Sequence, residues 1–188
     1  MNIIIFGPPL AGKGTQSNKI INDFGLTHLS TGDVLRAEKA QKTDLGIKAA
    51  TYSNKGLLAP DDLVAQIVER FYHNHKNGKG ILFDGYPRNT KQAEHLLQVI
   101  AKGGDTIDCV IFLNVPKEEL FKRAIKRAEA ENRADDKDSN IVLTRIDEFE
   151  KGAIPAMHYI KKSGVKTIEI DGNQSIDAIY KTINSHLK

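Results

Sequence analysis

A chain of 188 residues suits one α/β domain with small inserted lobes, and hydrophobic and charged shares of 40% and 27% are those of a soluble globular protein. The net charge of +3 is compatible with anionic small molecules but too mild to argue for nucleic acid. The single cysteine, Cys109, excludes a disulfide framework and a cysteine-built zinc site, and is expected to be a buried small hydrophobe in a reducing cytosol.

In chain order, the apolar run Asn2–Phe6 predicts a buried strand. Its N-terminal side has no basic flank, and the run is too short for a signal peptide or a membrane span, so a cytoplasmic protein is expected. The stretch GPPLAGKGT (7–15) follows at once. A strand, a glycine-rich turn and a helix beginning near Lys13 make a phosphate cradle. Glycines let the backbone N–H groups point inward, and the helix start adds unpaired N–H groups and the positive end of its dipole. Lys13 supplies a mobile charge, and Thr15 a hydroxyl near a magnesium ion. The spacing from Gly7 to Gly12-Lys13 satisfies the core of the phosphate-loop pattern, although the hydroxyl comes one residue late, after Gly14.

Residues 15–24 predict a helix that ends at Gly25, with Ile20, Ile21 and Phe24 on one face, and 26–29 a second strand. STGDVLR (30–36) offers Thr31 and Arg36 to a second ligand, with Asp33 as the helix cap. Two helical patterns fill 30–59, where one crossover helix would do. Pro60-Asp61-Asp62 opens a helix over 61–75, with Val64, Ile67, Val68 and Phe71 on one stripe. The strand 80–84 ends in FDGYPR (83–88), where Asp84 is placed to hold magnesium through water and Arg88 to project over the cleft.

A helix over 89–102 carries Leu96, Leu97 and Ile100, and the strand 108–113 follows. Helices are expected over 117–128 and over 140–162, the second disturbed at Pro155. A strand over 165–170 and a helix over 175–187 close the chain. The charged stretch 128–139 reads as a flap, with Arg123, Arg127, Arg133 and Arg145 around it as anion clamps. The histidines form no metal-spaced set. Strands alternating with helices predict a five-stranded parallel sheet with helices on both faces.

These motifs resemble the nucleoside monophosphate kinases, and among them most closely the adenylate kinase family. The resemblance rests on GPPxAGKGT, STGDxLR, DGYPRxxxQAE, the NRADD segment and the DGNQ run, and spans essentially the whole chain. It implies the P-loop NTPase fold in a single domain. The core would be 1–29, 60–125 and 137–188, with a monophosphate-binding lobe at 30–59 and a short lid at 126–136.

By the same resemblance, Leu10, Ala11, Gly12, Lys13, Gly14 and Thr15 would hold ATP phosphates. Arg123 would lie against the ATP adenine, Arg127 near its phosphates, and the Gln174 backbone on the adenine. AMP would meet Thr31, Arg36, Leu57, Leu58, Ala59, Gly85, Tyr86, Pro87, Arg88 and Gln92. Arg133 and Arg145 would grip the transferring phosphoryl group and the AMP phosphate, and Asp135 and Asp136 would help close the lid. Lys13, Arg88, Arg127, Arg133 and Arg145 would offset charge in the reaction, Asp84 would position hydrated Mg2+, Thr15 is a further metal contact, and no zinc is expected.

Relatives usually carry glycine where this chain has Leu10, so a left-handed backbone there would cost leucine about 1–2 kcal/mol. Asn132 likewise replaces a common glycine. Thr31 and Gln92 favour adenine over a pyrimidine. The expected activity is Mg·ATP plus AMP giving two ADP, in a monomer without nucleic-acid or membrane partners. A nucleotide sensor without turnover and a non-specific NTPase stay open beside it.

Overall fold

The computed structural model describes residues 1–131 and 138–188, the side chains of 128–131 excepted. The expected lid contacts at Asn132, Arg133, Asp135 and Asp136 therefore lie outside the described residues. The strands are β1 (Ile3–Phe6), β2 (Thr27–Ser30), β3 (Ile81–Asp84), β4 (Cys109–Asn114) and β5 (Lys166–Asp171). They form one parallel sheet in the order β2-β3-β1-β4-β5. Each lies within a residue of its predicted place.

Alternation along the strands sorts side chains onto two faces. Ile4, Phe6, Leu29, Ile81, Phe83 and Val110 enter one apolar cluster. Ile3, Ile5, Leu82, Cys109, Ile111 and Ile168 enter the other. Helices α4 (Asp61–His75) and α5 (Thr90–Lys102) cover the first face. Helices α1 (Lys13–Phe24), α6 (Lys117–Glu131) and the last helix, Ile176–Leu187, cover the second. Tyr72, absent from the predicted stripe of α4, is fully buried, and its hydroxyl donates to Asp105 at 2.6 Å.

Helices α2 (Thr31–Ala40) and α3 (Asp44–Ser53) fill the predicted insertion after β2. The cap of α2 is Ser30 and not Asp33: the Ser30 hydroxyl accepts from the Asp33 amide at 3.3 Å, and Asp33 instead pairs with Arg36. A serine is as good a cap as an aspartate, and here it sits one turn earlier, at the strand end.

The predicted helix over 140–162 is split. Helix α7 (Ser139–Glu148) runs into a π-turn at Phe149–Ala153, and α8 (Ile154–Lys162) follows. Pro155 cannot donate, and its ring would clash with the carbonyl four residues back, so the ladder widens before it. The last helix is α9 (Ile176–Leu187).

Topology fixes where a ligand can sit. From β1 the chain first builds to one side, through β2 and β3, and then to the other, through β4 and β5. Ligands of open parallel sheets bind beyond the strands' carboxyl ends at such a switch. The phosphate loop leaves β1 at that point, and Asp84 at the end of β3 is level with Ile5 and Ser30.

Candidate active site

The loop between β1 and α1 turns on two left-handed residues. Gly12, the N-cap of α1, has φ 88°, and Leu10 has φ 70°. The backbone thus keeps the conformation that suits glycine even though the residue is leucine. What holds Leu10 there is burial: 8% of its surface is exposed and it joins the second core cluster. Burying a leucine contributes about 1.5–3 kcal/mol, which covers the left-handed cost of about 1–2 kcal/mol. Ala11 is buried beside it, while Gly14 and Thr15 lie exposed in the first turn of α1.

The Lys13 ammonium folds back over the loop, donating to the carbonyls of Gly7 at 2.7 Å and Pro8 at 2.9 Å. Its pKa is lowered to about 8. Burial is the main cause, Asp84 opposes it, and Arg88, Arg145 and Arg127 add to it. The Arg88 guanidinium is also pushed below its ordinary value, by burial and then by Arg145. Four cationic side chains from four segments therefore share one field, and Asp84 acts against it at Lys13 and Arg88. Cations gathered in this way make favourable contacts around a polyphosphate.

A cavity of about 580 Å³ opens beside this cluster. Such a volume is in the range that takes a small-molecule ligand. Gly7, Lys13, Arg88 and Arg145 are among its lining residues. Thr31, Arg36, Leu57, Leu58, Ala59, Gly85, Tyr86, Pro87 and Gln92 line the rest, so the whole residue set expected around AMP in the described chain meets in one place.

The wall of the cavity is hydrogen-bonded. Thr31 Oγ1 donates to the Gly85 carbonyl at 2.9 Å, and Arg88 Nε donates to the same oxygen at 2.7 Å. Gly85 has φ 80°, and a Cβ there would stand 2.7 Å from Thr31 Oγ1, so this position requires glycine. The Tyr86–Pro87 peptide is cis. Tyr86 Oη lies 2.8 Å from His95 Nδ1, and burial, then Asp61 and Glu69, hold its hydroxyl above the ordinary phenol range. Gln92 is 3% exposed: its Oε1 accepts from the Arg88 amide at 2.7 Å, and its Nε2 donates to Asp61 Oδ1 at 2.6 Å.

The other expected contacts stand apart from this cavity. Leu10, Ala11, Gly12, Gly14, Thr15, Arg123, Arg127 and Gln174 are not among its lining residues. Arg123 donates from Nε to Glu119 at 3.0 Å and from Nη2 to the Gly172 carbonyl at 2.9 Å, which ties it to the turn that carries Gln174. Arg127, also on α6, reaches Lys13 through its charge.

Sequence reasoning missed the π-turn's part in the site. Glu148, Phe149 and Ala153 line the cavity. A Cβ on Gly152 would come within 2.4 Å of the Arg88 carbonyl, so the turn can close on the loop carrying Arg88 only at a glycine. The signal was Gly152 three residues before Pro155. Asp61, read only as a helix start, is another omission, and so is Lys39, which lines the cavity.

No group of three or more His, Cys, Asp or Glu side chains fit to hold a metal occurs among the described residues. One carboxylate, Asp84, and one exposed hydroxyl, Thr15, suit a magnesium ion that keeps its waters and takes its remaining oxygens from phosphates. No helix among the described residues is long and apolar enough to cross a membrane.

Comparison with known sequences agrees with this geometry. The family model described as adenylate kinase matches residues 5–165. An adenylate kinase of Phocaeicola vulgatus is 42% identical over 97% of this chain and 96% of its own length. One of Bacteroides fragilis is 40% identical over the same shares, and one of Carboxydothermus hydrogenoformans is 37% identical over the full length of both. The last alignment runs to 215 residues, so it includes positions that this chain of 188 lacks. A five-stranded parallel sheet, a phosphate loop at its switch point and near-complete coverage by such relatives lead to one conclusion: the chain belongs to the adenylate kinase family.

Proposed function

We propose that this chain transfers the terminal phosphoryl group of Mg·ATP to AMP, reversibly, giving two ADP, and so maintains the balance of adenine nucleotides. The observation that carries this reading is that Lys13, Arg88 and Arg145 line the same cavity as the buried amide of Gln92. A simple NTPase has no need of a second, base-sized compartment facing its phosphate loop.

ATP phosphates would lie on the amides of residues 10–15, with Lys13 leaving the Gly7 and Pro8 carbonyls for the phosphate oxygens. Arg123 and the Gln174 backbone would frame the ATP adenine, and Arg127 its phosphates. AMP would sit in the cavity, its phosphate between Arg36, Arg88 and Arg145 and its base on Gln92. Asp84 would hold a magnesium ion through water, with Thr15 nearby, and the ion would supply charge compensation to the phosphates. Phosphoryl transfer needs in-line placement and charge compensation more than covalent chemistry, so no general base is assigned.

Residues 30–59 form the monophosphate lobe in this reading, and 126–136 a short lid bringing Arg133, Asp135 and Asp136 to the site. A closed lid keeps water from accepting the phosphoryl group. The reading extends to a monomer acting in the cytoplasm on free nucleotides, without zinc or nucleic acid.

The test is ADP formation from ATP with AMP, UMP and CMP side by side. AMP is expected to be the preferred acceptor, with little phosphate released from ATP alone. Tight nucleotide binding without turnover would indicate a sensor, and AMP-independent phosphate release a plain NTPase.

A further inference from the structure

We infer that Asp61 is the positioning residue that fixes which end of the Gln92 amide is nitrogen, and thereby makes the monophosphate pocket select a 6-aminopurine over a 6-oxopurine. The inference rests on the reading of Gln92 as the contact to the base.

A glutamine amide has two N–H donors and two acceptor lone pairs, and turning it over exchanges them. The structure holds it from both sides. The Arg88 amide can only donate, so it takes Oε1, at 2.7 Å. The Asp61 carboxylate accepts, so it takes Nε2, at 2.6 Å. Asp61 is itself fixed: Asn89 Nδ2 donates to the same Oδ1 at 2.9 Å, while Asn89 Oδ1 caps α5 by accepting from the Gln92 amide at 2.8 Å. Asp61 also sits in the first turn of α4, where the helix dipole favours a negative side chain.

One donor and one acceptor of the amide remain for the cavity that Gln92 lines. Adenine presents an acceptor at N1 beside a donor at its 6-amino group. A 6-oxopurine presents the reverse, a donor at N1 and an acceptor at O6. Meeting it would require the amide to turn over, setting oxygen against the Asp61 carboxylate and nitrogen against the Arg88 N–H. Both contacts become repulsive, and a buried polar group left without a partner is expensive.

The experiment compares kcat and KM for AMP and IMP, and KM for ATP, in Asp61→Asn, Asp61→Leu and Gln92→Ala, with thermal melting as the folding control. Asparagine removes the charge that repels a turned-over Gln92 and can offer a donor to it, although Asn89 Nδ2 still favours an oxygen there and the Arg88 amide still favours Gln92 Oε1. Asp61→Asn should therefore keep KM for AMP within about threefold while the AMP-over-IMP preference falls about tenfold. Asp61→Leu removes the acceptor and should raise KM for AMP about tenfold, leaving KM for ATP unchanged. A structural role alone would weaken both nucleotides together and leave the preference intact. If Gln92→Ala raises KM for AMP while Asp61→Asn retains the full preference for AMP, the Asp61 assignment is overturned and the base contact stands. If Gln92→Ala leaves KM for AMP unchanged, the base contact itself is wrong. Should the leucine variant fail to fold, the asparagine variant decides alone.

Discussion

Two halves of one cavity are built on opposite principles. Around Gln92 the polar groups already have partners: Thr31 and Arg88 share the Gly85 carbonyl, and Gln92, Asn89 and Asp61 bond to one another. Around Lys13 positive charge is gathered from several segments. The ammonium rests on two loop carbonyls, its proton loosened to a pKa of about 8 by burial and then, against the pull of Asp84, by three arginines. The first half is shaped for its ligand in advance and spends little order on binding. The second gathers positive charge of the kind that suits a polyphosphate. The contrast suits phosphoryl transfer, in which the base has only to be recognised but the charge moves.

The largest effect is expected where the contrast is sharpest. Lys13→Met should lower turnover by about 10³-fold or more, since a positioned cation on a transferring phosphoryl group has effects of that order. Its melting temperature should stay within about 4 °C of the parent, because a crowded cation has been removed along with two hydrogen bonds. Turnover near normal would remove the phosphate loop from the chemistry.

On the recognition side, Gln92→Ala should raise KM for AMP about tenfold or more and leave KM for ATP nearly unchanged. Equal effects on the two nucleotides would merge the halves that the geometry separates.

The third prediction concerns pH. Below pH 8 Lys13 is charged in the free protein and ATP affinity is flat. Above pH 8 a proton must be taken up on binding, so affinity falls, approaching tenfold per pH unit, until the pKa of the bound lysine is passed. The ligand-free fold should move the opposite way. Between about 8 and the ordinary 10.5 the unfolded chain holds the proton that the folded one has lost, so this group makes stability rise with pH. Calorimetric titrations and melts across pH 7–10 read both slopes; parallel slopes would contradict the account.

Leu10→Gly should show the smallest effect. Glycine relieves about 1–2 kcal/mol of left-handed strain but gives up about 1.5–3 kcal/mol of burial, and it frees the unfolded chain. Chemical denaturation should therefore show a net loss of about 1 kcal/mol; a gain would mean that the core contact of Leu10 is weaker than its burial implies.

The two halves also differ in how far they were legible in sequence. The phosphate loop is written in consecutive residues, and β1, Gly12 and Lys13 could be read together. The strands were equally plain, because in a sheet covered on both faces they are short continuous apolar runs. The wall around Gln92 could be read only in part. Thr31, Gly85, Arg88 and Gln92 stand in recognisable motifs, but Asp61 is 31 residues from Gln92 and looks like any acidic helix start. The π-turn lay deeper still. Pro155 signalled a disturbance, but the way the ladder widens, and the approach of Gly152 to Arg88, belong to packing. The capping role of Ser30 was hidden by Asp33, which offers the same chemistry three residues on.

The most direct test of the contrast is the titration of Lys13 itself, followed by NMR of its side-chain carbon in the free protein and with a dinucleotide in which one polyphosphate joins two adenosines. The account predicts a midpoint near 8 in the free protein, moving above its ordinary value of 10.5 once the polyphosphate is bound. A midpoint that does not move on binding would show that the charge gathered around Lys13 is not waiting for a phosphate chain.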